Sequence, residues 1–538
     1  MRDKSAGSMD EAARLSRKGR RGGWITFPFI IGTMGCLALA AGGWTANLIV
    51  YLIQEFNIKS ISSAKIYNFV NGSITLFPIV GAVIADSFLG CYSVICFSSL
   101  ISLLGTLVLV LTAVVDRLRP PACEDGSNLC KYPSHLQFGV LYIGLALASL
   151  GNAGTRFTIA TMGADQFDSP KHRGIFFNWY IFTMYTATIV SSTAIVYVED
   201  NLSWTWGFTI CAVANVLGLA LLLSGRRSYR LMKPQGSPFT SLVRVAVAAL
   251  SKRKMTLSDK NEDYYQDSTK TAPTHFFRFL NRAALQTEGD KAITVMQVEE
   301  LKGLIKLFPL WSTGLSLCIP LAIQLSLTVI QALTMDRHLG GRFKIPAGSM
   351  PVFILASTSL SIFIIDRVAL PLWERLTTRP LTLLQRIGIG HALTIASMAV
   401  SAAVERKRLR SDAGNDGIVA MSAMWLVPQL GIAGLGEAFH FPGQIALYYQ
   451  EFPNTLKTTA TAAVALFIGI AFYCSNGIID VVRSVTAWLP DDINDGRLDN
   501  LYWLCCILGA FNFCYFLVCA SFYSYKIVDE SGDDSITT

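Results

Sequence analysis

The amino-acid sequence predicts an all-α membrane protein: twelve transmembrane helices in two halves of six, with a long polar loop between the halves. Three observations lead there. Of the 538 residues, 52% are hydrophobic and only 15% charged, with a mean hydropathy of +0.44, whereas a soluble chain carries about 25% charge. The apolar residues gather in runs long enough to cross a bilayer, which takes about 20 residues of helix. The Lys and Arg residues collect between those runs, most densely at the start and in the middle of the chain.

In chain order, residues 1–23 form a basic tail (Arg14, Arg17, Lys18, Arg20, Arg21) with no apolar core ahead of a cleavage site, so the tail reads as cytoplasmic rather than as a signal peptide. Six spans are expected within 24–225, at 25–53, 66–86, 92–115, 136–164, 175–197 and 205–225. The segment 226–302 is a basic linker (Arg226, Arg227, Arg230, Arg244, Lys252, Arg253), which the positive-inside rule places in the cytoplasm. Within it, 236–251 has the pattern of an amphipathic helix at the membrane surface, and 256–275 is polar and expected to be loose. Six more spans are expected within 303–525, at 303–331, 349–365, 383–404, 418–440, 455–482 and 500–525, before an acidic cytoplasmic tail over 526–538. An even number of crossings puts both tails and the linker on the same side. Spans 4 and 10 are rich in glycine (Gly144, Gly151, Gly154; Gly431, Gly434, Gly436), which lets helix backbones approach closely in lipid and also permits bending.

Composition excludes several classes. The net charge of +8 is modest and its basic residues lie in loops and tails, so nucleic acid is not an expected partner. There is no phosphate-binding glycine loop, no His-Glu-x-x-His and no nucleophile elbow, so neither an enzyme nor a cofactor is expected. Most of the twelve cysteines sit in apolar runs as small hydrophobes. The exceptions are Cys123 and Cys130, in a Pro-flanked polar loop on the outer side, which are either bridged or free.

The motifs narrow the class. Between spans 2 and 3, Gly81, Asp86 and Gly90 form a turn that resembles the gating loop of the major facilitator superfamily, with Cys91 where a basic residue is expected. Gly163 to Asp168, followed by Phe176-Phe177-Asn178-Trp179-Tyr180, closely resembles the signature of proton-coupled oligopeptide transporters and of the plant nitrate/peptide transporter family. The similarity continues through Asn47, Tyr51, Met335-Asp336-Arg337, Ile345 to Gly348, Gly436-Glu437-Ala438, Glu451-Phe452-Pro453 and Ala487 to Asp492. Gly22 to Phe29 and Ser73 to Pro78 look most like the nitrate-excretion subgroup. The resemblance implies a 6+6 major facilitator arrangement with a central cytoplasmic loop, and transport by alternating access at a site between the halves.

The departures from the family pattern shape the functional reading. Proton-coupled relatives carry Glu-x-x-Glu-Arg on span 1, and those positions here are Met34, Leu37 and Ala38, none of which ionises. The span 4 lysine of those relatives is Arg156; the span 10 acid falls at Ala446, the nitrate-contacting histidine of span 7 at Leu321, and the phosphorylated threonine at Val94. Arg156 has thereby lost its expected acidic partners. Its always-charged planar fork either binds a small anion or serves as a structural group bonded to helix-end carbonyls. Glu437 and His440, three residues apart on one helical face, either shuttle protons or form a polar patch at a helix end. Gln324, Gln331, Asn47 and Tyr51 read either as neutral hydrogen-bonding groups of the cavity or as packing glue, and His391 as a packed histidine.

The expected function is transport of a small inorganic anion, nitrate first and chloride second, as low-affinity export without the usual proton coupling. The expected location is the plasma membrane, with the vacuolar membrane as the alternative. Transport of larger plant metabolites such as glycosides or hormones is a second reading, and a nutrient sensor in the membrane a third, from a different class.

Overall fold

A computed structural model describes residues 22–121, 131–232, 234, 238–258, 260–266, 273–286, 292–340, 343–411, 418–451 and 460–523. It is almost entirely helical. Among the described residues, eleven helices are long and apolar enough to cross a membrane. A further 25-residue helix, Val427–Glu451, occupies the tenth position, and its run is broken by Gln429, Glu437, His440, Pro442 and Gln444. The spans are therefore 1 (Phe27–Ala46, resuming as Leu48–Gln54), 2 (Ser60–Leu76 and Pro78–Ile84), 3 (Cys91–Val114), 4 (His135–Arg156 and Thr158–Ala164), 5 (Pro170–Val190 and Val196–Asn201) and 6 (Trp204–Ser224) in the first half. The second half holds 7 (Val295–Leu333), 8 (Val352–Ile364 and Leu370–Thr377), 9 (Leu383–Arg408), 10 (Val427–Glu451), 11 (Ala460–Val485) and 12 (Leu498–Phe522).

Local chemistry explains several boundaries. Spans 4, 7 and 9 open on capping boxes, Ser134 with Gln137, Thr294 with Gln297 and Thr382 with Gln385, each satisfying orphan backbone N–H groups reciprocally. Span 10 starts later than its hydropathy suggests: Val419–Ser422 is a strand paired in parallel with Met335–Asp336, and the helix then runs on to Glu451. Span 7 begins at Val295, inside the segment assigned to the linker.

The two halves repeat one device. Span 2 ends in a π-turn, Ala85–Leu89, with Asp86 second; span 8 contains a π-turn, Ile365–Ala369, with Asp366 second. Such turns insert an extra residue into the helical ladder and locally re-aim it. Gly90 closes the first turn at φ +76°, a left-handed value that a residue with a Cβ adopts only under strain.

The linker is more ordered than its polarity suggests. Pro238–Ser251 is a helix, as its pattern predicts. One side of it, Val245 and Ala249, is buried with Tyr264, Leu280, Ala284, Val295 and Val298, while Val243, Val247 and Leu250 stay exposed in a stripe. Of the stretch 256–275 expected to be loose, the described residues 260–266 are tied down by Tyr264, which bridges to Leu285, and by the Tyr265 N–H bonded to the carbonyl of Ala284, while 259 and 267–272 lie outside the described residues. The end of the bundle carrying this segment is called the linker face, and the opposite end the far face.

At the far face the halves lock together. Lys59 pairs with Asp491, and Lys65 with Asp480 at 2.5 Å. Tyr197 stacks on Phe343 with centroids 5.8 Å apart, and the seam runs inward through the Asn68 amide, which donates to Asn476 at 3.1 Å, to Ser73 and Tyr473, midway along spans 2 and 11, which share a hydrogen bond of 2.7 Å. Arg337 lies 3.5 Å from Asp200. Among the described residues, every ion pair between the halves is at this end.

Candidate functional site

Arg156 ends the first segment of span 4, where Gly154 lets span 2 close in: a Cβ built on Gly81 would stand 3.1 Å from the Gly154 Cα. This contact sets the depth of the arginine. The guanidinium is exposed to a water-sized probe although helices surround it, and among the described residues no acid pairs with it and no side-chain hydrogen bond holds it. Its electrostatic neighbours are Tyr180 and Tyr185 of span 5, and the Tyr180 hydroxyl donates to the Arg156 carbonyl at 2.9 Å. Tyr185 also feels Glu437 of span 10, so Arg156 looks across Tyr185 toward the second half. An exposed permanent cation with no protein counter-ion among the described residues is suited to hold a small anion.

The positions that would carry a proton relay are apolar in fact as well as in sequence. Met34 and Leu37 are buried in a cluster with Ile30, Ile159, Met162 and Phe176. On the opposite wall the half-buried Glu437 accepts a 3.3 Å hydrogen bond from the Thr358 hydroxyl of span 8 and has no ion pair among the described residues. His440 does not join it. Its ring turns to span 9, where it meets His391 edge-on at 5.2 Å, and both of its nitrogens lack partners. Of the readings left open for Glu437 and His440, a shuttle or a polar patch, this arrangement gives the two side chains different neighbours, Thr358 and His391. His391 is packed as expected, stacked on Phe516 at 4.8 Å with its Nδ1 3.5 Å from the Asn512 amide.

Three other candidates lie away from Arg156. Gln324 is fully buried and donates to Ser397 at 2.9 Å and Ser401 at 2.8 Å, tying span 7 to span 9. Tyr51 is fully buried, bonded to the Thr112 hydroxyl at 2.9 Å and wedged among Phe56, Trp204 and Phe208. The Gln324 amide nitrogen and the Tyr51 hydroxyl are thus bonded inside one half, while the Gln324 Oε1 is buried without a partner among the described residues. Asn47 sits where span 1 breaks, with neither amide atom partnered. In the gating turn, Asp86 has no basic partner among the described residues, whereas Asp366 reaches Arg386 at 3.8 Å. Cys123 and Cys130 lie outside the described residues. Sequence reasoning missed Tyr185 and Glu199. Tyr185 follows Tyr180 by five residues on a span already singled out. Glu199 sits beyond the end assigned to span 5, yet it is only 2% exposed.

Among the described residues no group of His, Cys, Asp and Glu is arranged to hold a metal.

Comparison with known proteins places this architecture. Residues 92–494 match the model of the POT family. The Arabidopsis thaliana proteins NRT1/PTR FAMILY 2.7 and 2.6 are 51% and 50% identical to the chain, each over 96% of it and 95% of their own length. Among solved structures, the POT family transporter PepTSo overlays with a TM-score of 0.70 at 19% identity, covering 93% of this chain and 98% of that one. An auto-inhibited POT family peptide transporter overlays at 0.69 with 18% identity, over 94% and 98%. The chain accordingly belongs to the POT family of multi-pass membrane transporters and stands beside the NRT1/PTR proteins of plants.

Proposed function

We propose that this transporter moves a small inorganic anion, nitrate in preference to chloride, outward across the plasma membrane by alternating access, with the linker face in the cytoplasm. The observation that carries the reading is Arg156: a fixed positive charge, exposed between the halves, with no acidic partner among the described residues. In a proton-coupled relative the corresponding cation is answered by ionisable groups on span 1. Here those places are filled by Met34, Leu37 and Ala38, so the positive charge is left for the substrate. A planar oxyanion accepts two parallel N–H bonds from the guanidinium fork, which a spherical halide cannot match. The closed far face and the exposed arginine fit a state loaded from the linker side.

With no acid at the relay positions, the anion moves down its own electrochemical gradient. In proteoliposomes with equal pH on both sides, an imposed membrane potential should drive nitrate flux by itself. Flux that appears only with a proton gradient, and never under voltage alone, refutes the reading and leaves Glu437 as the coupling group.

A further inference from the structure

Glu199 stands at the far-face end of span 5, only 2% exposed, with neither carboxylate oxygen hydrogen-bonded. Its side chain lies flat on span 6, and a Cβ added to Gly207 would stand 3.0 Å from its carboxyl carbon. The Asn47 amide stands beside the carboxylate as a donor without a bond of normal geometry to it, and the neighbouring indole N–H of Trp44 is also without a partner. Among the described residues no cation pairs with it; Arg337 is engaged by the next residue, Asp200, at 3.5 Å, and Lys59, Lys65 and Arg119 pair with Asp491, Asp480 and Glu55. The titratable groups around Glu199 are Cys211 of span 6, Tyr51 of span 1 and Asp200 itself, none of which is positive. Burying an ionised carboxylate with no cation and only one neutral amide beside it costs several kcal/mol, and the group takes up a proton instead.

This site adjoins the seam between the halves. Asn47, beside Glu199, is pressed against Gly348 of the second half, where a Cβ would stand 2.9 Å from the Ala46 carbonyl oxygen. Asp200, the next residue in the chain, makes the ion pair to Arg337. We infer that Glu199 is a proton-binding site that controls the far-face gate: protonated, it fits the dry seam and the gate is closed; ionised, it requires water and the gate opens. The proton goes to solvent on opening and returns from solvent on closing. The inference holds whatever the substrate, since it concerns the gate alone.

The test uses the full chain in nanodiscs, in buffer free of nitrate and chloride, so that failure of the anion reading does not affect it. Ser73, whose hydroxyl meets Tyr473 across the seam, is replaced as Ser73→Cys, and alkylation at that position is followed by mass spectrometry between about pH 5 and pH 8, each rate being divided by that of the same cysteine in the denatured chain at the same pH, because only the thiolate reacts. With Glu199 present, the rate should rise about tenfold for each tenfold difference in proton affinity between the closed and open states. With Glu199→Gln it should stay low and flat. Glu199→Met, neutral and of similar size, gives a second reading if the glutamine variant does not fold. Glu199→Asp should restore a pH response, and Asp200→Asn should retain one. A parent rate independent of pH, or a folded Glu199→Gln or Glu199→Met variant that follows the parent's curve, overturns the inference.

Discussion

Replacing Arg156 by alanine tests the transport reading most directly, and its size can be worked from the geometry. The guanidinium has no ion pair to lose among the described residues, so the change disturbs little besides the space in front of it. A hydrogen bond to a charged group contributes about 1.5–3 kcal/mol. Nitrate in the fork takes two, and exposure of Arg156 to solvent puts the sum near the lower end, about 3 kcal/mol. That corresponds to about a 100-fold rise in the dissociation constant. Arg156→Lys keeps the charge and loses the fork, so about half the loss is expected, with the nitrate-to-chloride ratio falling about tenfold. The assay is flux of both anions into proteoliposomes at fixed potential, over a range of concentrations and normalised to reconstituted protein. Arg156→Ala with parental half-saturation and rate for nitrate would make the arginine structural and refute the reasoning.

Further outcomes are expected elsewhere. Glu405 and Arg408 are fully buried and joined by two bonds of 2.8 and 2.7 Å, with Gln331 donating to Glu405 at 2.6 Å, so Arg408→Met strands a buried carboxylate. It should cost about 3–5 kcal/mol, read as a fall in melting temperature, and adding Glu405→Gln should recover part of the loss. Lys59 holds the Asp491 carboxyl below its ordinary range, aided by Arg483. A carboxylate with a depressed folded value contributes fully above its ordinary range and fails only as pH falls through the lower one. This clamp should therefore be unchanged between about pH 5 and pH 8, and Asp491→Asn should raise alkylation at Ser73→Cys equally across that window. If Cys123 and Cys130 are bridged on the outer surface, an impermeant maleimide should label them in intact cells only after reduction; labelling without reductant shows that they are free thiols.

The fold was legible because lipid imposes a simple rule: apolar runs long enough to cross must be helices. Spans 3, 6 and 9 obey it closely. Span 10 escaped part of the rule because Val419–Ser422 is apolar for pairing with Met335–Asp336 rather than for contact with lipid, and hydropathy does not separate the two. Arg156 was legible as a charge without its usual partners. Gln324 and Tyr51 were ambiguous because a polar side chain in an apolar run finds partners either inside a bundle or in a cavity, and the partners seen here, Ser397, Ser401 and Thr112, come from distant parts of the chain. Glu199 was hidden by its neighbour. Glu199-Asp200 looks like a loop, yet the two acids part company: one faces a space left by Gly207, the other an arginine 137 residues later.

Span 7 is a single helix of 39 residues. At about 1.5 Å per residue it is about 58 Å long, against about 30 Å of hydrocarbon. Nearly half of it stands outside the oily layer, and its linker-face base is the part packed on Pro238–Ser251 through Val295 and Val298. The helix is thus a lever with its handle out of the membrane and a float attached near the end. The exposed stripe of Val243, Val247 and Leu250 is the underside of that float. When the second half rocks, the handle sweeps farther than the pivot and must drag the stripe along or through the headgroup layer. Resistance of that layer would then be a load on the transport cycle, and turnover is expected to vary with lipid composition through mechanical drag on this helix.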